Sequence, residues 1–217
     1  MSKKQKNSAC NPVIYKIDPV HPEISVIREA ARILQAGGMV VFPTRTLYGL
    51  GVDANNPSAI NRLFQVKGRN PEKPVSVLIK SREVLDSLVE DIPSAAIPLM
   101  NRFWPGQITI VFRAKEGVST LLTAESGKIG IRIPDHPVAL KLVNALDHPL
   151  TGTSANYSGS PGVSRIEDLP RDFLNQMDLI IDAGPLSGGI GSTVIDVTTD
   201  PPLVLREGTV SKKELIL

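Results

Sequence analysis

The spacing of apolar positions divides most of the chain into short elements. Ile24, Ile27, Ala31 and Leu34 recur at helical spacing; Pro22 suits the first turn of that helix and Gly37-Gly38 its end. An unbroken apolar run at Met39–Phe42 predicts a buried strand, halted by Pro43. Ile60, Leu63 and Phe64 mark a second helix, with Ser58 as its expected cap. "PVSVLI" at 74–79 reads as a strand, and Ser81 opens a helix through Val84, Leu85 and Leu88. "IPSAAIPLMNRFWPG" reads as helical with proline punctuation, and "QITIVF" and "KIGIRIP" as strands. Asp135 is the expected cap of a helix from Pro137 to Leu146, and "PLTGTSAN", "DLIID", "STVIDV" and "PLVLRE" supply further short strands.

Strands and helices mix throughout, without repeat or linker, which predicts the α/β class. "DLIID" to "STVIDV", and "STVIDV" to "PLVLRE", are steps too short for a crossover helix, so a mixed sheet is expected. Residues 1–11 read as a disordered polar tail and 12–217 as a single domain. The 217 residues, 41% hydrophobic and 21% charged, can bury a sizeable core without disulfides or metals. The single cysteine, Cys10, cannot form an internal bridge, and with only His21, His136 and His148 no structural zinc site is expected. The N-terminal lysines precede no apolar stretch, and no segment approaches membrane-spanning length. A cytoplasmic location without a membrane partner is therefore expected, and Asn156-Tyr157-Ser158 is not read as a glycosylation site.

A net charge of +2 neither demands nor excludes a nucleic-acid partner, so candidate chemistry has to come from local stretches. "PTRTLYGLG" places hydroxyls, a cation and glycines at a strand end, more than a turn needs. In "QVKGRNPEKP", Lys67, Arg69 and Lys73 suit a polyanion such as a triphosphate, or else a solvated helix C-terminus. Arg132 sits inside the apolar strand "GIRIP", where it pairs either with a structural carboxylate or with a ligand anion. "TGTSANYSGSPG" is either an anion-binding nest or an ordinary turn. "AGPLSGGIGSTVIDV" is either a loop closing over a ligand, with Ser192 or Thr193 as hydrogen bonder, or a hairpin connection; it is not a P-loop, since no Lys precedes Ser192. Arg206 is a further lone cation in an apolar setting. There is no G-x-S-x-G elbow and no evident carboxylate pair, so the residues describe a site that positions anions, not a nucleophilic triad.

Taken in order, "GGMVVFPTRTLYGLG", "LFQVKGRNPEKPVSVLI", "RFWPGQITIVF", "GIRIPDHPVALKLV", "PLTGTSANYSG", "GGIGSTVIDV" and "LVLREG" resemble the YrdC-like family of L-threonylcarbamoyladenylate synthases, over about residues 23–210. The resemblance, to the short single-domain form, implies a three-layer α/β fold with a twisted mixed sheet around a concave, positively charged cavity. It implies a nucleotidyltransferase that converts L-threonine, bicarbonate and ATP to threonylcarbamoyl-AMP and pyrophosphate. Magnesium would accompany ATP, with no tightly bound organic cofactor, and a separate tRNA threonylcarbamoyl-transferase complex would use the product. On the matching positions, Thr46, Leu78, Arg132 and Ser192 would hold L-threonine. Lys67, Arg69, Lys73, Ser154, Asn156 and Arg206 would hold ATP, with Lys67 and Arg69 as the catalytic pair; Tyr48 and Thr153 would line the pocket. Two positions depart from the family pattern: Arg45 stands where an acid is common, and Pro71 lies one place later than usual. The alternatives are an RNA-binding or ribosome-associated module and an inactive paralogue. An aromatic content of 4% argues against the first, and the retained "KGR" and "SAN" runs against the second.

Overall fold

A computed structural model describes residues 12–215; the tail expected at 1–11, with Cys10, lies outside the described residues. The elements follow in the order β1 (Val13–Lys16), α1 (Ile24–Gln35), β2 (Val40–Pro43), β3 (Tyr48–Gly51), α2 (Pro57–Lys67) and β4 (Val77–Leu78). A 3₁₀ turn at Arg82–Ser87 precedes α3 (Ala96–Phe103), β5 (Ile108–Arg113), α4 (Thr120–Thr123), β6 (Lys128–Arg132) and α5 (Pro137–Asn144). The chain ends through β7 (Leu150–Thr151), β8 (Thr153–Ser154), α6 (Arg171–Leu174), β9 (Leu179–Asp182), β10 (Thr193–Asp196) and β11 (Leu203–Arg206).

Two mixed sheets result, ordered β1-β9-β2-β3-β8 and β11-β10-β5-β6-β4-β7. In the first, strand alternation sends side chains to opposite faces. Val40, Phe42, Leu179 and Ile181 pack with α1 and α5, while Val41 and Ile180 join the core shared with α2 and α3. Helices thus cover both faces. The expected mixed pairing is present, since β10 runs antiparallel to β11 and parallel to β5. The short step from "DLIID" does not join neighbours, however: β9 and β10 lie in different sheets.

Several local expectations are corrected. Pro43 is the last residue of β2, as expected, but it is still paired, with Tyr48, and the chain returns as β3 where a loop was expected. Gly49 and Gly51 belong to that return strand because the Phe42 ring lies against it: a Cβ on Gly51 would sit 2.9 Å from Phe42 Cε1 and 2.8 Å from Leu150 Cδ1. The cap of α2 is Asn56, whose Oδ1 accepts the Ala59 N–H at 3.1 Å; Ser58 falls inside the first turn behind Pro57. His136, not Asp135, caps α5, its Nδ1 accepting from Val138 N at 3.2 Å. Ser81 leads into the 3₁₀ turn and not an α-helix. β1 had no signal in alternation because all four of its residues are exposed.

One crossing positions the site. β7 belongs to the second sheet and β8 to the first, so the chain steps between sheets at Gly152. A Cβ there would lie 2.8 Å from Leu78 Cγ, so only glycine lets the step pass so close to β4.

Candidate functional site

Two cavities of similar size open on the described residues, and their charges separate them. One, of about 680 Å³, is lined by Lys80 against Glu116 and Asp147. The other, of about 690 Å³, takes lining residues from both sheets, among them Arg69, Lys128, Arg132 and Arg206, with Asp196 the one carboxylate. Both volumes suit a small-molecule ligand, but only the second offers an excess of cations.

Strand alternation builds its floor. On β6, Ile129 and Ile131 are buried while Lys128, Gly130 and Arg132 line the cavity. Thr109 and Val111 of β5, and Val194 and Asp196 of β10, line it by the same period of two. The hairpin loop between β2 and β3 contributes Thr44, Thr46 and Leu47, and the crossing at Gly152 contributes Thr153, Ser154 and Asn156.

The cations are held differently. Arg69 donates from Nε to Lys73 O at 3.2 Å and from Nη2 to Pro74 O at 2.7 Å. Arg206 donates from Nη2 to Ser192 O at 2.8 Å and from Nε to the same oxygen at 3.2 Å. Loss of water pushes both pKa values down, and the charge of Arg206 lowers Arg69 further. Lys128 pairs with Asp196 at 2.8 Å, and Thr198 donates both its N–H and its hydroxyl to Asp196 Oδ1. Burial raises the Asp196 carboxyl, but these donors outweigh it and hold the pKa below the usual range. Arg132 makes no hydrogen bond or ion pair among the described residues. Enclosed by protein atoms yet open to the cavity, it has its pKa pushed down to about 10, chiefly by loss of water, with Asp135 opposing and Arg206 adding to the shift.

Lys67 does not line the cavity. It is 2% exposed, and its ammonium donates to Ser154 O at 2.6 Å, Asn156 O at 2.7 Å and Asn156 Oδ1 at 3.0 Å. Burial, with help from the charge of Arg69, pushes its pKa down to about 7. Asn156 Oδ1 also accepts from Ser154 Oγ at 2.7 Å, so Lys67 ties the end of α2 to the loop that presents both residues. Lys73 is exposed and lies outside the lining as well.

The other candidates fall into place around this loop. Thr46, Leu78, Thr153 and Ser192 line the cavity, with Ser192 Oγ 2.9 Å from Thr109 Oγ1. Thr193 faces away: its buried hydroxyl donates to Val210 O at 2.5 Å and accepts from Gly208 N and Val210 N. Tyr48 borders the cavity, but its phenol points into protein, donating to Gly184 O at 2.7 Å and accepting from Ala183 N at 3.0 Å. Burial raises its pKa well above the ordinary value, so it acts as a latch on the 182–184 turn. Sequence reasoning passed over Lys128, Asp196 and Thr109; the alternation in "KIGIR" was the available signal, since it puts Lys128 on the face of Arg132. No cluster of three or more His, Cys, Asp or Glu side chains arranged for a metal occurs among the described residues. No helix among them is long and apolar enough to cross a membrane.

The family model Sua5_yciO_yrdC, described as "Telomere recombination", matches residues 32–208. A threonylcarbamoyl-AMP synthase of Pyrococcus abyssi is 39% identical over 189 residues, which cover 87% of this chain and 56% of that protein. This chain spans about half the length of that relative. The crystal structure of P. abyssi Sua5 complexed with L-threonine superposes with a TM-score of 0.89 at 37% identity, covering 94% of this chain and 59% of that one. The crystal structure of Escherichia coli YciO has a TM-score of 0.86 at 29% identity, covering 94% of this chain and all of that one (100%).

Proposed function

The chain belongs to the Sua5/YciO/YrdC family, and from that premise we propose that it is an ATP-dependent L-threonylcarbamoyladenylate synthase. The observation that carries the reading is Arg132: an unpaired guanidinium facing a cavity that already holds Arg69 and Arg206. A forked cation without a protein partner suits a carboxylate, and two more within the same walls suit phosphates. L-threonine, which the P. abyssi relative binds, would place its carboxylate on Arg132, with Thr46, Leu78 and Ser192 around it. ATP would lie along Arg69, Arg206, Ser154 and Asn156, with Lys67 shaping the loop from behind and Lys73 reaching in from the rim.

The threonine amine would capture carbon dioxide, released from bicarbonate, as a carbamate. A carbamate oxygen would then attack the α-phosphorus, the bond to the β-phosphate would break, and pyrophosphate would leave with both electrons. Charge grows on phosphate oxygens in that step, so preorganised guanidiniums facing them would lower its barrier. Magnesium would come with ATP and neutralise charge on the triphosphate; Asp196, the cavity's carboxylate, is already engaged by Lys128 and Thr198. The product, a labile acyl-adenylate, would pass to a separate tRNA threonylcarbamoyl-transferase complex. A cytoplasmic location agrees with that hand-over.

The test is pyrophosphate release from ATP, magnesium and bicarbonate, with and without L-threonine. Release should require L-threonine, and Arg132→Ala should raise the KM for L-threonine far more than that for ATP. Turnover that ignores L-threonine, or none at all, refutes the proposal.

A further inference from the structure

Arg45 stands at the tip of the β2–β3 hairpin, and its side chain leaves the loop to meet Asp135, Nε donating to Oδ2 at 2.5 Å. Asp135 follows Arg132 by three residues past the end of β6, and its side chain is only 14% exposed. A carboxylate so far removed from water needs a cation. Two guanidiniums interact with its charge, Arg45 by direct contact and Arg132 through its field, and the structure pairs the carboxylate with Arg45 alone.

We propose that Arg45 is a positioning residue for the amino-acid subsite: by occupying Asp135 it leaves the Arg132 guanidinium unpaired and turned to the cavity, ready for an α-carboxylate. This rests on the reading of Arg132 as the carboxylate anchor. The field of Asp135 does reach Arg132, where it partly counters the effect of burial. His136, beside Asp135, has its pKa pushed down chiefly by burial, and it feels both charges as well, Asp135 opposing the shift and Arg45 adding to it.

A plain tether is the competing role, and the loop does not need one. Its backbone is already fixed: Thr44 N donates to Leu47 O at 3.2 Å, Gly188 N to Thr46 O at 3.0 Å, and Ser187 Oγ to Arg45 O at 3.0 Å. Arg45's side chain is 59% exposed, so the pair adds little to global stability. Its consequence is local: without Arg45, Asp135 takes Arg132, and the substrate carboxylate loses its partner.

The test compares wild type with Arg45→Ala, Arg45→Lys, Asp135→Asn and the double variant Arg45→Ala/Asp135→Asn, reading the KM for L-threonine and for ATP by pyrophosphate release. Arg45→Ala should raise the KM for L-threonine about tenfold or more, with the KM for ATP little changed. Arg45→Lys should restore part of the loss. The double variant should return to within about threefold of wild type, because Asp135→Asn removes the competitor for Arg132. A tether predicts the opposite, a double variant at least as impaired as Arg45→Ala. That result, or an Arg45→Ala enzyme with wild-type KM values, overturns the inference while leaving the synthase reading intact. A wild-type protein without threonine-dependent turnover overturns both.

Discussion

Lys67→Met removes an ammonium that makes three hydrogen bonds of 2.6 to 3.0 Å to the 154–156 loop while replacing its volume. Two effects oppose each other. The variant takes the Lys67 donor from Ser154 O and Asn156 O, at about 1–3 kcal/mol for each that stays dry, while Asn156 Oδ1 keeps Ser154 Oγ as a donor. It also relieves the protein of a buried amine whose pKa falls from 10.5 to about 7. The second effect depends on pH and is separable for that reason. Between pH 7 and 10.5 the unfolded chain binds a proton that folded Lys67 does not, so this group's contribution to stability rises with pH across that window and is lowest below it. From pH 6.5 to 9.5, wild type should therefore gain about 3 kcal/mol on Lys67→Met, or about 6–12 °C in Tm. Thermal unfolding of both proteins at the two pH values, followed by circular dichroism, gives this difference with the remaining titrating groups cancelling. A Tm difference that is the same at both pH values would refute the reasoning, because it would mean the three oxygens keep the ammonium charged in spite of its burial.

Two further outcomes follow from close approaches elsewhere. Gly51→Ala puts a methyl within 2.9 Å of the Phe42 ring and of Thr151 O, so urea unfolding should show a loss of about 1–3 kcal/mol. Thr193→Val keeps the shape but removes the hydroxyl that serves Gly208 N, Val210 N and Val210 O. It should cost about 1–3 kcal/mol and speed hydrogen exchange at the Gly208 and Val210 amides before that of the β5 amides. Unchanged exchange there would show that those amides find other partners.

Much of the fold was legible because it is local. Helical spacing marked α1 and α2, a first-turn proline marked α5, and apolar runs marked β2, β5, β6 and β10, since a buried face imposes its period on neighbouring residues. The crowding of cations and hydroxyls at strand ends marked the site region, and the ordered motifs pointed to the family that the comparisons then showed. β3 escaped because its glycines read as a loop until the Phe42 ring is placed against them. The caps of α2 and α5 escaped because each of Asn56 and His136 stood beside a better-looking Ser or Asp.

What the sequence determined by itself was most of the inventory: the helices and strands with a buried face, and Arg69, Arg132 and Arg206 as cations of a shared site. Only the tertiary structure decided how those charges are divided. Lys67 meets Ser154 across 87 positions, Arg45 meets Asp135 across 90, and Lys128 meets Asp196 across 68. No local pattern encodes such pairings, because they join elements far apart in the chain that meet only when the sheets and their connecting loops are assembled. Once those partners are taken, Arg132 lines the cavity with no hydrogen-bond or ion-pair partner among the described residues.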